Sequence, residues 1–546
     1  MPASQNTLKK GAVTRSSRPS LLTGAVALPV VSAVLYALCF PNFNLYLFSW
    51  VFLIPVLAVC RGMNYSPGVA RAGGFVFGLL FFLCVIYSFA HNSYFIYMIA
   101  SIYFSLYLFL FIFIIERFLR KGRSIIFWAP ALWVALEYIR GEIIFTCPIF
   151  NTSAAQVHCK SLIQIASVTG AWGVSFVVIL INVLIYENLF LGVIKKEGVK
   201  SKVSTITALM IVFIVFAYGI FELKHSKDNI GGQPFKIAVI QPDIKQDMKK
   251  PRIYNDHVMD RLTGLTLQAE KEHPGLVIWP ENSVQGELRY DKEMYRRVTA
   301  LVNKLDIPIL LGSLDSLPGE TRKFYMTAFL VYPLRKVPAV YNKIRLFPFV
   351  EYIPLLDYVP YIKELFDIWT FSPGSEYYVF EVPQIIKERK SGEGGRRTET
   401  RMVKFGTLIC FEDLFSDLSR RLAVKDIDFL VNITNDACFK ESNRQMSHAY
   451  CSLLRAVENR TFLVRAANSG YSCVIDPYGY IVKDLRDKNG NTLYVPGYFT
   501  YELRPIHKNT LYEKYGDYFP VACCIISLIG LLAISGILSK NRKSRV

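Results

Sequence analysis

Charged residues, histidines and paired cysteines are all scarce in this chain, and each shortage excludes something. Asp, Glu, Lys and Arg make up 19% of the sequence, against 52% apolar residues, too apolar a balance for one ordinary soluble domain. The eleven cysteines (39, 60, 84, 147, 159, 410, 438, 451, 473, 523, 524) include no CxxC pair and no metal-ligand spacing. Neither a zinc module nor a disulfide framework can therefore be read from them. Seven histidines leave a cysteine–histidine mechanism poorly supported, since only His448 falls near the later core motifs, in the middle of a helical segment.

The net charge of +19 raises the question of nucleic acid, and its location answers it. Five short segments (the N-terminal tail to Arg18, Arg61 with Arg71, 116–123, 195–202 and 540–545) hold 18 of the 62 Lys/Arg against only Glu116 and Glu197. The remainder nearly balances, with 44 basic and 41 acidic residues. The basicity is thus a topology signal, and no nucleic-acid partner is expected.

What is abundant is apolar sequence, concentrated before residue 222 and after 519. After a basic tail (1–20), runs at about 21–40, 43–60, 73–90, 94–115, 124–139, 162–191 and 203–222 each approach the length that crosses a bilayer. This predicts a membrane domain of about seven spans over 21–222, in which Cys39 is part of a membrane helix. Pro130, Glu137 and Arg140 interrupt or bound one run, and Gly170 with Gly173 another, so either is a candidate broken or re-entrant element. If every run crosses once, the basic segments share the side of the N-terminal tail, as the positive-inside rule requires. That puts the N-terminus in the cytoplasm, the chain after Phe221 outside it, and the basic end of 519–546 back inside after a last span. The first run reads as a retained signal anchor rather than a cleaved signal peptide. Glu137 and Arg140, three residues apart, are expected to share a helix face and to pair or to meet a headgroup.

Residues 223–518 read as one α/β domain. Short β-rich runs recur at 235–241, 276–280, 307–313, 327–333, 403–410, 428–434, 461–467 and 472–477, with helical periodicity at 253–272 and 443–460. Interleaved strands and helices predict layered sheets rather than a β-sandwich. The polar stretch 387–400 is expected to be an exposed loop between two strands.

Three stretches of this domain carry candidate chemistry. VKFGTLIC delivers Cys410 to the end of a buried strand, where DLFSDLSRRLA can begin a helix. Unpaired N–H groups and a helix dipole there would favour its thiolate, although the strand read alone equally fits a core cysteine. LVIWPEN leaves Glu281 at a strand exit, where partial desolvation suits a general base and a helix-capping role is the plain alternative. In YNKIRLFPFVEYIP, Lys343 can hold a thiolate or an oxyanion, and Glu351, eight residues on, can orient the ammonium.

WPEN, a YxK followed by PFxEYxP, and a strand ending in CxE, in this order, resemble the Glu-Lys-Cys hydrolases of the nitrilase superfamily. With the preceding spans and the single C-terminal span, nearly the whole chain resembles the apolipoprotein N-acyltransferase family. The resemblance implies an α/β nitrilase-like αββα sandwich on a multi-span α-helical membrane domain. It implies Cys410 as nucleophile, Glu281 as general base, Lys343 as oxyanion-stabilising residue, and Glu351 and Glu412 as supporting carboxylates. It further implies a ping-pong reaction in which Cys410 takes an acyl chain from a phospholipid donor as a thioester. The α-amine of a diacylglyceryl-cysteine lipoprotein then accepts it. No metal or cofactor is implied, and a monomer in a bacterial inner membrane, with the α/β domain on the periplasmic side, is expected. Asn432–Asp436, Arg455–Asn459 and Arg465–Gly470 also resemble the family and are expected to support the site.

The chain departs from that pattern at Met326, where the family commonly has Asn, at Cys438, where it has Trp, and at Lys250, near an expected aromatic. Cys438 is also a second thiol that would lie near the first. Two alternatives stay open: a membrane-anchored amidase or nitrile hydrolase with water as acceptor, and an inactive lipid-binding or transport protein.

Overall fold

The computed structural model describes residues 18–535 apart from 42, 62–64, 92, 145, 195–200, 227–230, 246–254, 318–322, 349, 353–369, 391–395, 440–443 and 507–508. Before the first strand lie α1 (Arg18–Ala37), α2 (Ile54–Cys60), α3 (Pro67–Val85), α4 (Tyr94–Arg120), α5 (Trp128–Tyr138), α6 (Lys160–Ile163), α7 (Ala166–Thr169), α8 (Ala171–Leu184) and α9 (Lys202–Lys224). By length and composition, five helical segments are long and apolar enough to cross a membrane: Pro67–Val85, Tyr94–Arg120, Ala171–Gly192, Lys202–Lys224 and, near the chain end, Tyr518–Ser535. The runs at 21–40 and 43–60 form shorter apolar helices. The run 124–139 is the 11-residue α5, continued by a π-turn over Ile139–Ile143.

The run 162–191 breaks at Gly170, whose φ of +69° sits between α7 and α8. A Cβ there would lie 2.7 Å from the Tyr512 ring, so glycine is needed both for the turn and for the approach. Cys39 lies in the turn after α1 rather than in the helix itself. Among the described residues Glu137 and Arg140 form no ion pair. Glu137 accepts from Trp133 Nε1 (3.0 Å) and from Thr152 N and Oγ1 (both 2.7 Å), whereas Arg140 donates to Ile149 O (3.0 Å) and Asn151 Oδ1 (2.6 Å). Each ion takes its hydrogen bonds from neutral groups of α5 and the segment after it rather than from the other ion, and Glu137 Oε2 and Arg140 Nε are left without a partner.

The α/β part consists of two six-stranded sheets. The first contains β1 (Phe235–Gln241), β2 (Leu276–Ile278), β3 (Ile309–Leu317), β4 (Lys323–Val331), β5 (Ala339–Asn342) and, at its far edge beside β1, β12 (Gly497–Leu503). The second runs, in spatial order, β11 (Ile481–Asp484), β10 (Cys473–Ile475), β9 (Phe462–Ala467), β8 (Phe429–Thr434), β7 (Arg396–Ile409) and β6 (Val379–Lys390). Parallel pairs β1–β2–β3 and β7–β8–β9 form the middles, and antiparallel strands flank them. These middle strands are buried on both faces, which is why they read as continuous apolar runs instead of alternating ones.

The inner faces meet in one apolar core, with Phe405 stacked on Phe429 (centroids 5.3 Å) and Phe429 on Phe235 of the other sheet (6.2 Å). Helices α10 (Asn255–Glu270) and α11 (Lys292–Leu305) cover the outer face of the first sheet. Helices α12 (Ser416–Ala423) and α13 (Arg444–Asn459) cover the second, and their core is continuous with that of the N-terminal helices. The layering is therefore helix, sheet, sheet, helix. Within the stretch expected to be a loop, residues 387–390 and 396–400 are strand instead, β6 and β7 pairing from Lys387↔Glu399 to Lys390↔Arg396. Backbone pairing in a long hairpin tolerates polar side chains that the strand pattern disfavours.

The chain then closes through α14 (Leu511–Tyr515) and α15 (Tyr518–Ser535). Arg460, at the end of α13, ties the two parts together. It donates to Gln164 Oε1 (2.7 Å), Ser167 Oγ (3.3 Å), Pro477 O (3.0 Å) and Glu222 of α9 (3.3 Å). Glu222 and Arg460 are both buried. Replacing Arg460 by Met removes one buried partner of the Glu222 carboxylate, at a cost of up to roughly 3–5 kcal/mol. The variant is therefore expected to unfold at a clearly lower temperature in detergent, whereas Arg460→Met combined with Glu222→Gln recovers part of the loss.

Candidate active site

Strand β7 carries the chain to Cys410 in a left-handed backbone conformation, φ +53°, uncommon for a residue with a side chain. Asn432 of β8 holds this turn by donating Nδ2 to Cys410 O (2.8 Å) and Leu408 O (3.3 Å). A single 3₁₀ turn, Cys410–Leu414, follows, and α12 begins only at Ser416. The expectation that a helix dipole favours the thiolate fails here. Burial, and then the Glu281 charge, push the Cys410 thiol well above its usual range, and the Lys343 charge only partly opposes them. Desolvation outweighs a dipole that starts a full turn away.

Glu281 leaves β2 at a turn seated on Gly312 of β3. A Cβ on Gly312 would come within 2.6 Å of Glu281 Cα, so only glycine permits the approach. Gly312 N donates to Pro280 O (3.2 Å) and Gly312 O accepts from Ser283 N (3.0 Å). The Glu281 carboxylate accepts the Asn435 N–H from the end of β8 at 2.9 Å.

Lys343 follows β5 and is anchored by its own N–H to Met326 O (2.8 Å). Its ammonium is completely buried and donates to Glu351 Oε1 at 2.5 Å, while Glu351 Oε2 accepts Phe347 N (2.9 Å). Burial alone would lower the affinity of this lysine for its proton, but Glu351, then Cys410 and Glu281, raise it above its ordinary value. Glu412 is also fully buried and accepts Ile409 N (2.8 Å), Ile344 N (2.7 Å), Arg345 N (3.0 Å) and the Tyr341 hydroxyl (3.0 Å to each oxygen). Burial pushes its pKa up to about 7 against Lys343 and those backbone donors. The fold thus gathers Glu281, Lys343, Glu351, Cys410 and Glu412 where the two sheets end together. Met326 is half-buried in β4, whereas Lys250 and the Cys438 side chain lie outside the described residues.

One cluster went unread in the sequence. His448 of α13 places Nδ1 2.9 Å from Asp436 Oδ1 and Nε2 2.9 Å from Asp413 Oδ1. Arg465 of β9 joins the other oxygens of both carboxylates (2.8 and 2.9 Å) and Asn432 Oδ1 (2.6 Å). The signal was an arginine inside the apolar run TFLVRAA, which a strand buried on both faces can hold only with buried acids beside it. Phe411 stacks on His448 (4.3 Å) and on Phe347 (4.6 Å), joining the cysteine turn to the lysine loop. Beyond Phe411 opens a narrow apolar cavity of about 40 Å³, shared between Phe411, Leu414, His448 and Cys451 on one side and Phe40, Phe89, Ile149 and Phe150 of the N-terminal helices on the other.

A buried Cys, Glu and Lys at the ends of two packed α/β sheets, set on apolar helices, define a carbon–nitrogen hydrolase domain carried by a membrane-type helical domain. The family described as carbon-nitrogen hydrolase matches residues 236–496, and the apolipoprotein N-acyltransferase N-terminal domain matches 32–184. The apolipoprotein N-acyltransferase of Geobacter metallireducens is 31% identical over 94% of this chain and 95% of its own length. Apolipoprotein N-acyltransferase 2 of Treponema denticola is 28% identical over 74% of this chain and 76% of its own. Among solved structures, an amidase from Nesterenkonia sp. covers 53% of this chain and 93% of its own length, at 18% identity and a TM-score of 0.35. The chain belongs to the apolipoprotein N-acyltransferase family.

The Asp436 carboxyl is held down to about 2: burial works against its charge, but Arg465 and then His448 more than compensate. Because the folded-state value lies below the ordinary 3.8, its contribution is present above that value and lost as pH falls through the interval. Stability is expected to drop by roughly 2 kcal/mol from this group between about pH 4 and pH 2. Asp436→Asn should be less stable at neutral pH and show a shallower acid limb in unfolding midpoints measured against pH.

Proposed function

We propose that this protein is an N-acyltransferase that moves a fatty acyl chain from a phospholipid to the N-terminal amine of a diacylglyceryl-cysteine lipoprotein. The observation that carries the reading is a buried thiol flanked by Glu281 and Lys343, beside an apolar cavity shared with the N-terminal helices. The protein works as a monomer in a bacterial inner membrane, with residues 223–518 on the periplasmic side, the orientation that the basic segments favour.

In the first half-reaction Glu281 accepts the thiol proton as Cys410 Sγ attacks the donor ester carbonyl. The ester C–O bond breaks, the glycerol oxygen leaves with the proton from Glu281, and the acyl group remains as a thioester. In the second, the lipoprotein amine attacks the thioester carbonyl, Glu281 takes the amine proton, and the departing thiolate is reprotonated. Lys343 stabilises the oxyanion of each tetrahedral intermediate. Glu351 keeps Lys343 charged and aimed, and Glu412 fixes the loop that bears it to the turn that bears Cys410. A raised thiol pKa suits this scheme, since the nucleophile forms only as Glu281 removes its proton. The apolar cavity receives the acyl chain and excludes the water that would hydrolyse the thioester.

Incubated with phospholipid alone, the protein is expected to gain the mass of one acyl chain, released by neutral hydroxylamine. Cys410→Ala should gain none, and Glu281→Gln should acylate about 10²–10⁴-fold more slowly. Adding a diacylglyceryl peptide should then return an amide-linked triacyl product. A wild type that never forms the adduct, or a Cys410→Ala protein that still does, contradicts the mechanism, and release of free fatty acid without amide product makes the protein a hydrolase.

A further inference from the structure

At the end of the helical domain opposite the α/β domain, the N-terminus of α3 and the C-termini of α4 and α15 border an open cavity of about 700 Å³. Arg71, Arg117, Arg120 and Lys121 line it together with one acid, Glu116. The acid is buried and already engaged, with Arg71 at 3.4 Å and with Arg120. Arg71 and Arg117 converge on one ring: their guanidinium carbons lie 4.9 and 3.7 Å from the centroid of Phe113. Arg117 takes part in no described ion pair. The opposite wall is apolar, formed by Leu531, Leu532 and Ile534 of α15 with Ile114 of α4.

Orienting a membrane protein requires only that positive charge lie on one side, dispersed through loops and solvated. Here two like charges instead stand 4.9 and 3.7 Å from one ring, within a cavity whose cations exceed its acids by three. Glu116 offsets Arg71 and Arg120, but Arg117 and Lys121 have no acid partner among the described residues, so the cluster favours a second anion. The geometry points to an anionic phospholipid. Its phosphate would sit between Arg71 and Arg117, where bidentate and cation–π contacts are both available, and its first acyl carbons would lie along the leucine wall. Lys121 Nζ donates to Ile534 O at 2.7 Å, so the same cluster also pins the end of α15. A lipid bound there would clamp that helix against α3 and α4 and stabilise the folded protein by mass action.

The test uses the full-length protein, delipidated in detergent, with phosphatidylglycerol, phosphatidylethanolamine and inorganic phosphate as probes. Native mass spectrometry is expected to show retention of phosphatidylglycerol about tenfold over phosphatidylethanolamine, with a matching upward shift in the thermal midpoint. Arg71→Gln with Arg117→Gln should lose that preference, whereas Arg117→Lys, which keeps the charge, should retain most of it. If the double variant does not fold, Arg117→Gln alone serves, since it breaks no described ion pair, and it should weaken the preference measurably. Equal binding of the two lipids, or an undiminished preference in the variants, overturns the site. A thermal shift reproduced by inorganic phosphate at equal concentration overturns the assignment to a lipid.

Discussion

A single buried carboxylate holds the geometry of the site together. Glu412 is removed from water, so its oxygens are tolerable only if the protein satisfies them, and four donors do so. One, Ile409 N, belongs to the second sheet just before Cys410. The other three, Tyr341 Oη, Ile344 N and Arg345 N, flank Lys343 at the end of the first sheet. The carboxylate therefore closes the turn that keeps Cys410 at positive φ and, with the same two oxygens, sets where the lysine loop lies against it. Two sheets joined only by apolar packing would leave that distance soft. A satisfied carboxylate with directional bonds to both fixes it.

The electrostatics follow from the same burial. Desolvation and Glu281 keep the thiol protonated, while Glu351 keeps Lys343 charged in a place that would otherwise neutralise it. The resting site is thus a neutral thiol beside a fixed cation, and on the proposed mechanism negative charge on sulfur or oxygen arises only during reaction, next to an ammonium already in position. That is preorganisation in the electrostatic sense, since no solvent has to reorient as the charge develops. The Phe347–Phe411–His448 stack joins the lysine loop and the cysteine turn to the cavity wall, and His448 can stand in that stack because Asp413, Asp436 and Arg465 satisfy its polar edge.

Where the sequence was legible, one physical pattern dominated. Strands β1, β8 and β9 fall on the apolar runs to within a residue, because strands buried on both faces have few polar positions to blur their ends. The strands β5, β6, β11 and β12, at or next to sheet edges and partly exposed, carry mixed composition, and the sequence showed none of them. The break at Gly170 was legible as a glycine, but not the reason for it, the Tyr512 ring more than 300 residues away. Glu281, Lys343 and Cys410 were legible as an ordered set only through family resemblance, since spacing alone says nothing about contact. Asp436 and Arg465 fell in stretches expected to support the site, but nothing in the sequence joined them to His448 and Asp413, and only the stacking of α13 on the second sheet assembles that cluster. The thiolate expectation erred by weighing a helix end without weighing burial.

Helix α13 shows why the two parts of the molecule cannot be considered separately. A helix covering a sheet normally turns one face to the core and the other to water, but here the second face meets α7 and the start of α8. Polar residues on that face have therefore lost their solvent. Glu458 accepts Ala171 N (2.7 Å) and pairs with Arg455, and Arg460 reaches α9. Charges buried in this way stabilise little in net terms, because desolvation consumes most of the attraction. What they provide is direction: each bond has one partner and one angle, where apolar side chains alone would allow the helical domain to slide over the sheet. The cavity beside Phe411 is bounded by both parts, so its shape survives only if they keep one orientation. The ionic links of α13 hold that orientation, and through it the wall that shields a developing charge at Cys410 from water.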